Sequence, residues 1–206
     1  GDVYKRQILD MPNTIPPITS VKELVRRKQI AKKTILCNIG FYCSPLNSND
    51  IKQMINEGAI GFKIYLHKPF ENQDLSDNNI MKFMQEIKKN NSILCVHAED
   101  YSPFSNNELP SPSEAEVFAI KRIINLLKKI NCKLHFAHIS TQIGLNEIIR
   151  AKNANFDITV EATPHHSLLN IDNIDLKNRT NIELFKCEPP LRNIENSKSI
   201  KKIKIL

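Results

Sequence analysis

The sequence predicts an α/β protein with a parallel sheet, and three observations support this fold class. Six short apolar runs recur along the chain, helical patterns lie between them, and most of the runs are apolar at successive positions. Strands that alternate with helices form repeated βα units. Strands covered on both faces have near-continuous apolar residues, as these runs do.

The predicted strands are rich in β-branched residues and are short enough to cross a sheet once. They are ILDM (8–11), TILCNIGF (34–41), IGFKIYL (60–66), SILCVHA (92–98), KLHFAHIS (133–140) and DITVEAT (157–163).

The helices between them are predicted from start signals and from apolar spacing. Ser20 with Glu23 and Ser113 with Glu116 have the spacing of capping boxes, which satisfy N–H groups at the start of a helix. A third helix is predicted behind a cap at Asp77. Its apolar residues follow the i, i+3, i+4, i+7 rule: Ile80, Phe83, Met84 and Ile87.

Two architectures fit this order, a doubly wound open sheet and a (β/α)8 barrel. No GxGxxG or GxxxxGK[ST] motif follows a strand, which weakens a nucleotide-binding open sheet. Polar residues recur at or just past the C-terminal ends of the strands, where barrel enzymes place their chemistry. They are Asn13, His97, Glu99, His138, Ser140 and His165.

Composition excludes several classes of protein. The 206 residues fit one domain, and no apolar run is long enough to span a membrane. The net charge of +7 raises the possibility of a nucleic-acid surface, but the lysines are spread along solvated helix faces. Five cysteines without a CxxC pair suit a reducing compartment. We therefore expect a cytoplasmic protein with a small-molecule substrate, and neither nucleic acid nor membrane as partner.

Two histidines occupy equivalent places on successive strands. His97 closes ILCVH and His138 closes LHFAH, so each begins a βα loop. A lone histidine there is more often structural than a ligand, but two on neighbouring strands favour a site for Zn²⁺ or a similar ion. His135 lies on the opposite face of its strand, and we interpret it as structural.

Lys63 lies in the middle of the apolar run GFKIYL (61–66). Taken alone, the strand favours a lysine that extends to the surface or pairs with an acid. A lysine in an apolar site also loses its charge readily, and the neutral amine can add CO₂. The resulting carbamate has two oxygens that can bridge two metal ions.

Seven motifs in order resemble the cyclic amidohydrolases of the amidohydrolase superfamily, and most closely the barrel-type dihydroorotases. The resemblance covers essentially all of residues 8–195. The motifs are DMPNT (10–14), GFKIYL (61–66), VHAED (96–100), EAE–AI (114–120), HFAHIST (135–141), VEATPHH (160–166) and PPLR (189–192).

The resemblance implies a (β/α)8 TIM-type barrel that holds one or two zinc ions. It implies that Lys63 is the N6-carboxylated lysine that bridges the metals. It also implies that His97 and His138 are metal ligands and that Asn13 binds the substrate carboxylate. The implied activity is a zinc-dependent cyclic amide hydrolase, most closely dihydroorotase, which interconverts N-carbamoyl-L-aspartate and dihydroorotate in pyrimidine biosynthesis.

Two elements of the family pattern are absent from the sequence. The first strand with His-x-His and the last strand with an Asp that shuttles the proton are both missing, so we expect an incomplete barrel with strands 2 to 7. We interpret residues 1–7 as an adapter or assembly scar and residues 8–206 as the partial barrel. Glu188 stands where the family usually has Asn, which makes the substrate less certain.

Several alternatives remain open at this stage. The parent protein could be an allantoinase- or hydantoinase-like amidase, or a non-catalytic scaffold subunit. A homo-oligomer of the full-length parent is also open. We expect the 206-residue chain alone to lack hydrolase activity.

Overall fold

A computed structural model describes residues 6–104, 113–175, 177 and 179–201. Residues 1–5 of the predicted scar lie outside the described residues. Six strands form one sheet in chain order, and the pairs whose register is known, β1 with β2 and β2 with β3, are parallel. The α/β class is therefore confirmed. The strands are β1 (Gln7–Asp10), β2 (Asn38–Cys43), β3 (Ala59–Tyr65), β4 (Ile93–His97), β5 (Lys133–Phe136) and β6 (Ile158–Val160).

Helices connect the strands. Two further short 3-10 helices span Ser48–Asp50 and Ile171–Asn173. Within the part of the chain that the structure describes, no helix is both long and apolar enough to cross a membrane. The α-helices are α1 (Val21–Thr34), α2 (Ile51–Asn56), α3 (Asp77–Lys89), α4 (Ser113–Leu127), α5 (Gln142–Asn153), α6 (Pro164–Leu168), α7 (Arg179–Leu184) and α8 (Ile194–Ile200).

Three predicted strands are shorter or later than the apolar runs suggested, and one of them, β6, covers only Ile158–Val160 of the predicted 157–163. Helix α1 continues through Thr34 because the N–H of Ile35 still donates to the carbonyl of Ala31, so β2 begins only at Asn38. Strand β5 ends at Phe136, before the backbone of His138 turns to a φ of +38°.

The structure confirms one of the three predicted helix caps and places the others differently. The Ser20 hydroxyl accepts from the N–H of Glu23 at 3.3 Å, so Ser20 caps α1 as predicted. The cap of α3 lies one residue earlier than predicted, at Ser76. The second capping box is wrong because the Glu116 carboxylate binds Ser140 and Thr141 instead of its own helix start.

The chain divides into two compact units, the first of which is Gly1–Ile64, Lys68–Val96 and Leu126–Leu134. Its core includes the whole predicted stripe of α3. Gly61 is required here by space, since a Cβ atom would lie 2.6 Å from the Tyr42 ring and 2.8 Å from Ile93. Apolar residues buried in this unit include Ile18, Leu24, Phe41, Met54, Phe62, Ile80, Phe83, Met84, Ile87 and Leu94.

The second unit is Tyr65–His67, His97–Asn125 and His135–Leu206. It holds ten of the thirteen buried polar or charged residues among those described. Buried polar groups need partners, so this unit is where an organised polar site is expected. The ten are His97, Glu99, Asp100, Glu116, Ser140, Thr141, His166, Asn170, Arg192 and Ser197.

Candidate metal centre

The two predicted metal-ligating histidines meet in the second unit. His97 is the last residue of β4 and is 3% exposed, and His138 follows β5 by two residues. The Nδ1 atom of His97 lies 3.1 Å from the Nε2 atom of His138. Their ring centroids are 4.7 Å apart in an edge-to-face arrangement. Each imidazole thus directs one ring nitrogen toward the other ring.

A buried carboxylate determines which nitrogen of His97 faces His138. Glu99 is 1% exposed, and its Oε2 lies 2.9 Å from Nε2 of His97. A carboxylate accepts hydrogen bonds, so a neutral His97 carries its hydrogen on Nε2 and keeps the lone pair on Nδ1. His97 therefore presents an acceptor nitrogen to His138.

The backbone of His138 has a left-handed conformation that residues other than glycine rarely adopt. Its φ of +38° is held by bonds on the next two residues. The N–H of Ile139 donates to the carbonyl of Glu161 at 3.0 Å, and the N–H of Ser140 donates to Glu116 at 3.1 Å. Backbone strain of this kind persists only where the surroundings impose it.

Glu116 is the anchor of the turn after His138. Its buried carboxylate accepts from the backbone N–H of Thr141 at 2.9 Å and from the Thr141 hydroxyl at 2.6 Å. It also accepts from the N–H and the hydroxyl of Ser140. The Thr141 hydroxyl in turn accepts from the N–H of Gly144 and caps α5.

Arg192 lies between the two buried carboxylates. It is 6% exposed, with Nη2 at 3.5 Å from Glu99 and at 4.0 Å from Glu116. Its Nε–H donates to the Ser140 hydroxyl at 2.9 Å. A buried carboxylate needs a paired charge or several donors, and Arg192 serves both acids.

Aromatic rings surround His97. The His67 ring centroid is 4.8 Å from that of His97, and Tyr65 lies 5.8 Å away. His67, His97 and Glu99 each offer a ligand atom, and these atoms lie within 4.8 Å of one another. The His67 Nε2 atom also lies 3.9 Å from Glu188, the residue that departs from the family pattern.

A second cluster in this unit consists of His165, His166 and Cys187, whose ligand atoms also lie within 4.8 Å. Both ring nitrogens of His166 are already engaged. Nε2–H donates to the carbonyl of Pro189 at 2.8 Å, and Nδ1 accepts from the Thr163 hydroxyl at 2.6 Å. Burial lowers the pKa of His166 to about 4 and raises the pKa of the Cys187 thiol.

Lys63 and Asn13 belong to the other compact unit. Lys63 is 2% exposed in β3, so it does not extend to the surface, whereas Asn13 lies exposed between β1 and α1. The roles that the resemblance implies for these residues stay predictions. The ligand roles of His97 and His138 also stay predictions, although the structure brings their nitrogens together.

The sequence predicted no role in the metal centre for Glu99, Glu116 or Arg192, although Glu99 was among the polar residues at strand ends and Glu116 was predicted in a capping box. Glu116 did carry a signal, because it shares the buried face of α4 with Ile120, Ile123 and Leu127 at helical spacing. A charged residue on an apolar stripe is seldom buried without a partner. The pairing of Arg192 with Glu99, 93 positions earlier in the chain, had no local signal.

Comparison with known proteins supports the motif resemblance. The chain is 31% identical to an allantoinase from Bacillus velezensis over 206 aligned residues, which is 89% of this chain and 44% of that protein. It is 34% identical to a dihydroorotase from Pyrococcus horikoshii over 191 residues, 92% of this chain and 41% of that protein. Its homologues are allantoinases and dihydroorotases. No protein-family model matches the chain.

Solved structures confirm the fold. An L-hydantoinase (dihydropyrimidinase) from Arthrobacter aurescens superimposes with a TM-score of 0.80 at 24% identity, over 95% of this chain and 47% of that one. A dihydroorotase from Campylobacter jejuni gives 0.73 at 20% identity, over 96% and 56%. The incomplete (β/α)8 barrel is therefore confirmed. The chain spans less than half the length of the curated relatives it matches.

Proposed function

We propose that this chain is the central part of a metal-dependent cyclic amide hydrolase. The observation that carries the proposal is the meeting of His97 and His138, with their ring nitrogens 3.1 Å apart and one of them fixed by Glu99. The names of the homologues, allantoinase and dihydroorotase, support the same reaction class.

The two histidines fit one zinc ion. Zinc binds imidazole nitrogen at about 2.0–2.1 Å, which places two nitrogens of a tetrahedral ion roughly 3.3 Å apart. The observed separation is 3.1 Å. Imidazole is also a ligand that zinc and similar ions favour, so the donor set and its spacing suit the implied metal.

Lys63 supports a second part of the proposal. It is 2% exposed in a strand of apolar residues. We propose that this amine is carboxylated and that its carbamate oxygens hold the metal together with His97 and His138. Bound zinc would supply Lewis acidity and lower the pKa of water.

The other residues of the chain orient and bind in this proposal. Glu99 keeps the Nδ1 lone pair of His97 available, and Asn13 would donate a hydrogen bond to a carboxylate of the substrate. Because the chain spans less than half the length of its curated relatives, we propose that the 206 residues alone are inactive.

We propose dihydroorotase as the specific activity, on the strength of the TPHH and PPLR motifs, with allantoinase or hydantoinase as the alternative. Both dihydroorotases and allantoinases are among the homologues. Turnover of dihydroorotate, allantoin and hydantoin by the purified full-length protein separates these activities. Turnover of allantoin but not dihydroorotate would replace the specific proposal and keep the reaction class.

Substitution of Lys63 tests the metal role. Lys63→Ala should lose zinc, measured by elemental mass spectrometry, together with activity, because the bridging carbamate is absent. Lys82→Ala is the matched control, since Lys82 is an exposed lysine of α3 in the same compact unit. Full activity and bound zinc in Lys63→Ala would exclude the bridging role.

A further inference from the structure

We propose that Glu99 and Arg192 are positioning residues, and that one buried network sets the ring nitrogen of His97 and the turn that carries His138. The network runs from Glu99 through Arg192 and Ser140 to Glu116. The role of this network in metal binding rests on the proposed function. The hydrogen bonds and ion pairs that form it are observed in the structure without that assumption.

The first step is the tautomer of His97. Glu99 accepts from Nε2, so the hydrogen is held on Nε2 and the lone pair on Nδ1. With Nδ1 as the acceptor, the 3.1 Å contact requires His138 to donate from its own Nε2. A cation between the rings would bind both nitrogens once the hydrogen of His138 lies on its Nδ1 atom instead. Carboxylate partners of this kind orient ligating histidines and raise their basicity.

The second step is the position of Glu99 itself. A carboxylate that is 1% exposed is stable only with a charge partner or several donors. Nη2 of Arg192 lies 3.5 Å from its Oε1, on the carboxylate oxygen that does not face His97. Arg192 therefore forms an ion pair with Oε1 of Glu99, while Oε2 of Glu99 faces the imidazole of His97.

The third step links Arg192 to His138. The Nε–H of Arg192 donates to the Ser140 hydroxyl, which donates onward to Glu116. Glu116 accepts the N–H groups of Ser140 and Thr141, the second and third residues after His138. These bonds hold the turn that keeps His138 at a φ of +38°. One guanidinium is thus connected to both histidines.

The test reads the tautomer of His97 directly. Long-range ¹H–¹⁵N spectra of the chelator-treated, histidine-labelled protein should show His97 as the Nε2–H form. Glu99→Gln retains an acceptor oxygen and should retain this tautomer, whereas Glu99→Leu should give a mixture of both. Zinc affinity should fall by about 10–100-fold in Glu99→Leu, the range for lost partners of ligating histidines.

Arg192 is tested by its conservative and non-conservative variants. Arg192→Met should also weaken zinc binding about 10-fold, and Arg192→Lys should recover part of that loss because it keeps a charge near Glu99. Glu147→Gln is the matched control, since Glu147 is a partly exposed acid paired with Arg150 on α5, and it should change neither readout.

Two outcomes would overturn the inference. One is an Nδ1–H tautomer of His97 in the unmodified protein, a measurement that needs no variant to fold. The other is zinc affinity within twofold of the unmodified protein in both Glu99→Leu and Arg192→Met. Because the tautomer requires no hydrolase activity, a full-length protein that turns over no cyclic amide but shows the expected tautomer would refute the proposed function and leave this inference standing.

Discussion

Two clusters in the same compact unit look alike by distance and differ in chemistry. His67, His97 and Glu99 form one, and His165, His166 and Cys187 form the other; in each, the ligand atoms lie within 4.8 Å. In the first cluster, Nδ1 of His97 faces the nitrogen of another imidazole. In the second, the nitrogens of His166 face a backbone carbonyl and a hydroxyl.

This difference decides which cluster suits a metal. A cation can bind between the nitrogens of His97 and His138 when the hydrogen of His138 moves to its Nδ1 atom, and both rings then keep a partner. At His166 a bound cation would leave the buried carbonyl of Pro189 without its donor, which costs about 1–3 kcal/mol. Burial also raises the pKa of the Cys187 thiol and so disfavours the thiolate that metals bind. Proximity of ligand types is therefore insufficient without lone pairs that point to a common place.

The largest expected effect is on metal affinity at His97 of the first cluster and at His138, the imidazole that His97 faces. His97→Ala and His138→Ala should each weaken zinc binding on the order of 10³-fold, beyond the 10–100-fold typical of second-layer partners. Titration with a zinc chromophore measures this. His165→Ala and Cys187→Ser are the paired controls and should stay within twofold. A loss of zinc in the controls instead would reverse the comparison.

The next effect is the pH dependence of stability caused by His166. Its pKa is about 4 in the folded protein, below the ordinary value of 6.5, so the unfolded chain binds more protons between these values. Stability should therefore fall as the pH drops from 6.5 to 4, by ~3 kcal/mol in total, and level off below.

Urea unfolding at pH 7 and pH 4.5 measures this loss. His166→Gln removes the titrating group, so the difference between the two proteins isolates its contribution from that of the other histidines. Equal pH slopes in the two proteins would show that His166 is not held neutral by burial.

A smaller effect is expected where α5 begins beside the first cluster. A Cβ at Gly144 would lie 2.6 Å from Ile120 Cδ1 and 2.7 Å from the Thr141 hydroxyl. Gly144→Ala should destabilise the protein by about 1–2 kcal/mol, because overpacking outweighs the better helix propensity of alanine. Asn146→Ala, at an exposed position of the same helix, should be neutral or slightly stabilising in the same thermal unfolding experiment.

The smallest effect concerns the hydroxyl that supports the second cluster. Thr163 caps α6 and also donates to Nδ1 of His166. Thr163→Ala should cost about 1 kcal/mol of unfolding free energy, while Thr163→Ser keeps the hydroxyl and most of the stability. Zinc affinity should be unchanged in both, and a loss in Thr163→Ala would connect the second cluster to the metal.

Much of the fold follows from local pattern. The α3 stripe of Ile80, Phe83, Met84 and Ile87 is buried as its spacing predicts, and Ser20 caps α1. Errors occurred where two local signals competed. The apolar run that begins at Thr34 predicts a strand. Thr34 is instead the last residue of α1, and the N–H of Ile35 donates to the carbonyl of Ala31 in the last turn of that helix.

The sequence by itself determined the strand and helix order and the placement of His97 and His138 at the ends of neighbouring strands. These features depend on residues close together in the chain and on the geometry of parallel βα units. Only the tertiary structure decided that Glu116 anchors the turn after His138, and that Arg192 joins this anchor to Glu99. Such partners are chosen by burial, because a charge removed from water must find its complement wherever the fold brings one within reach.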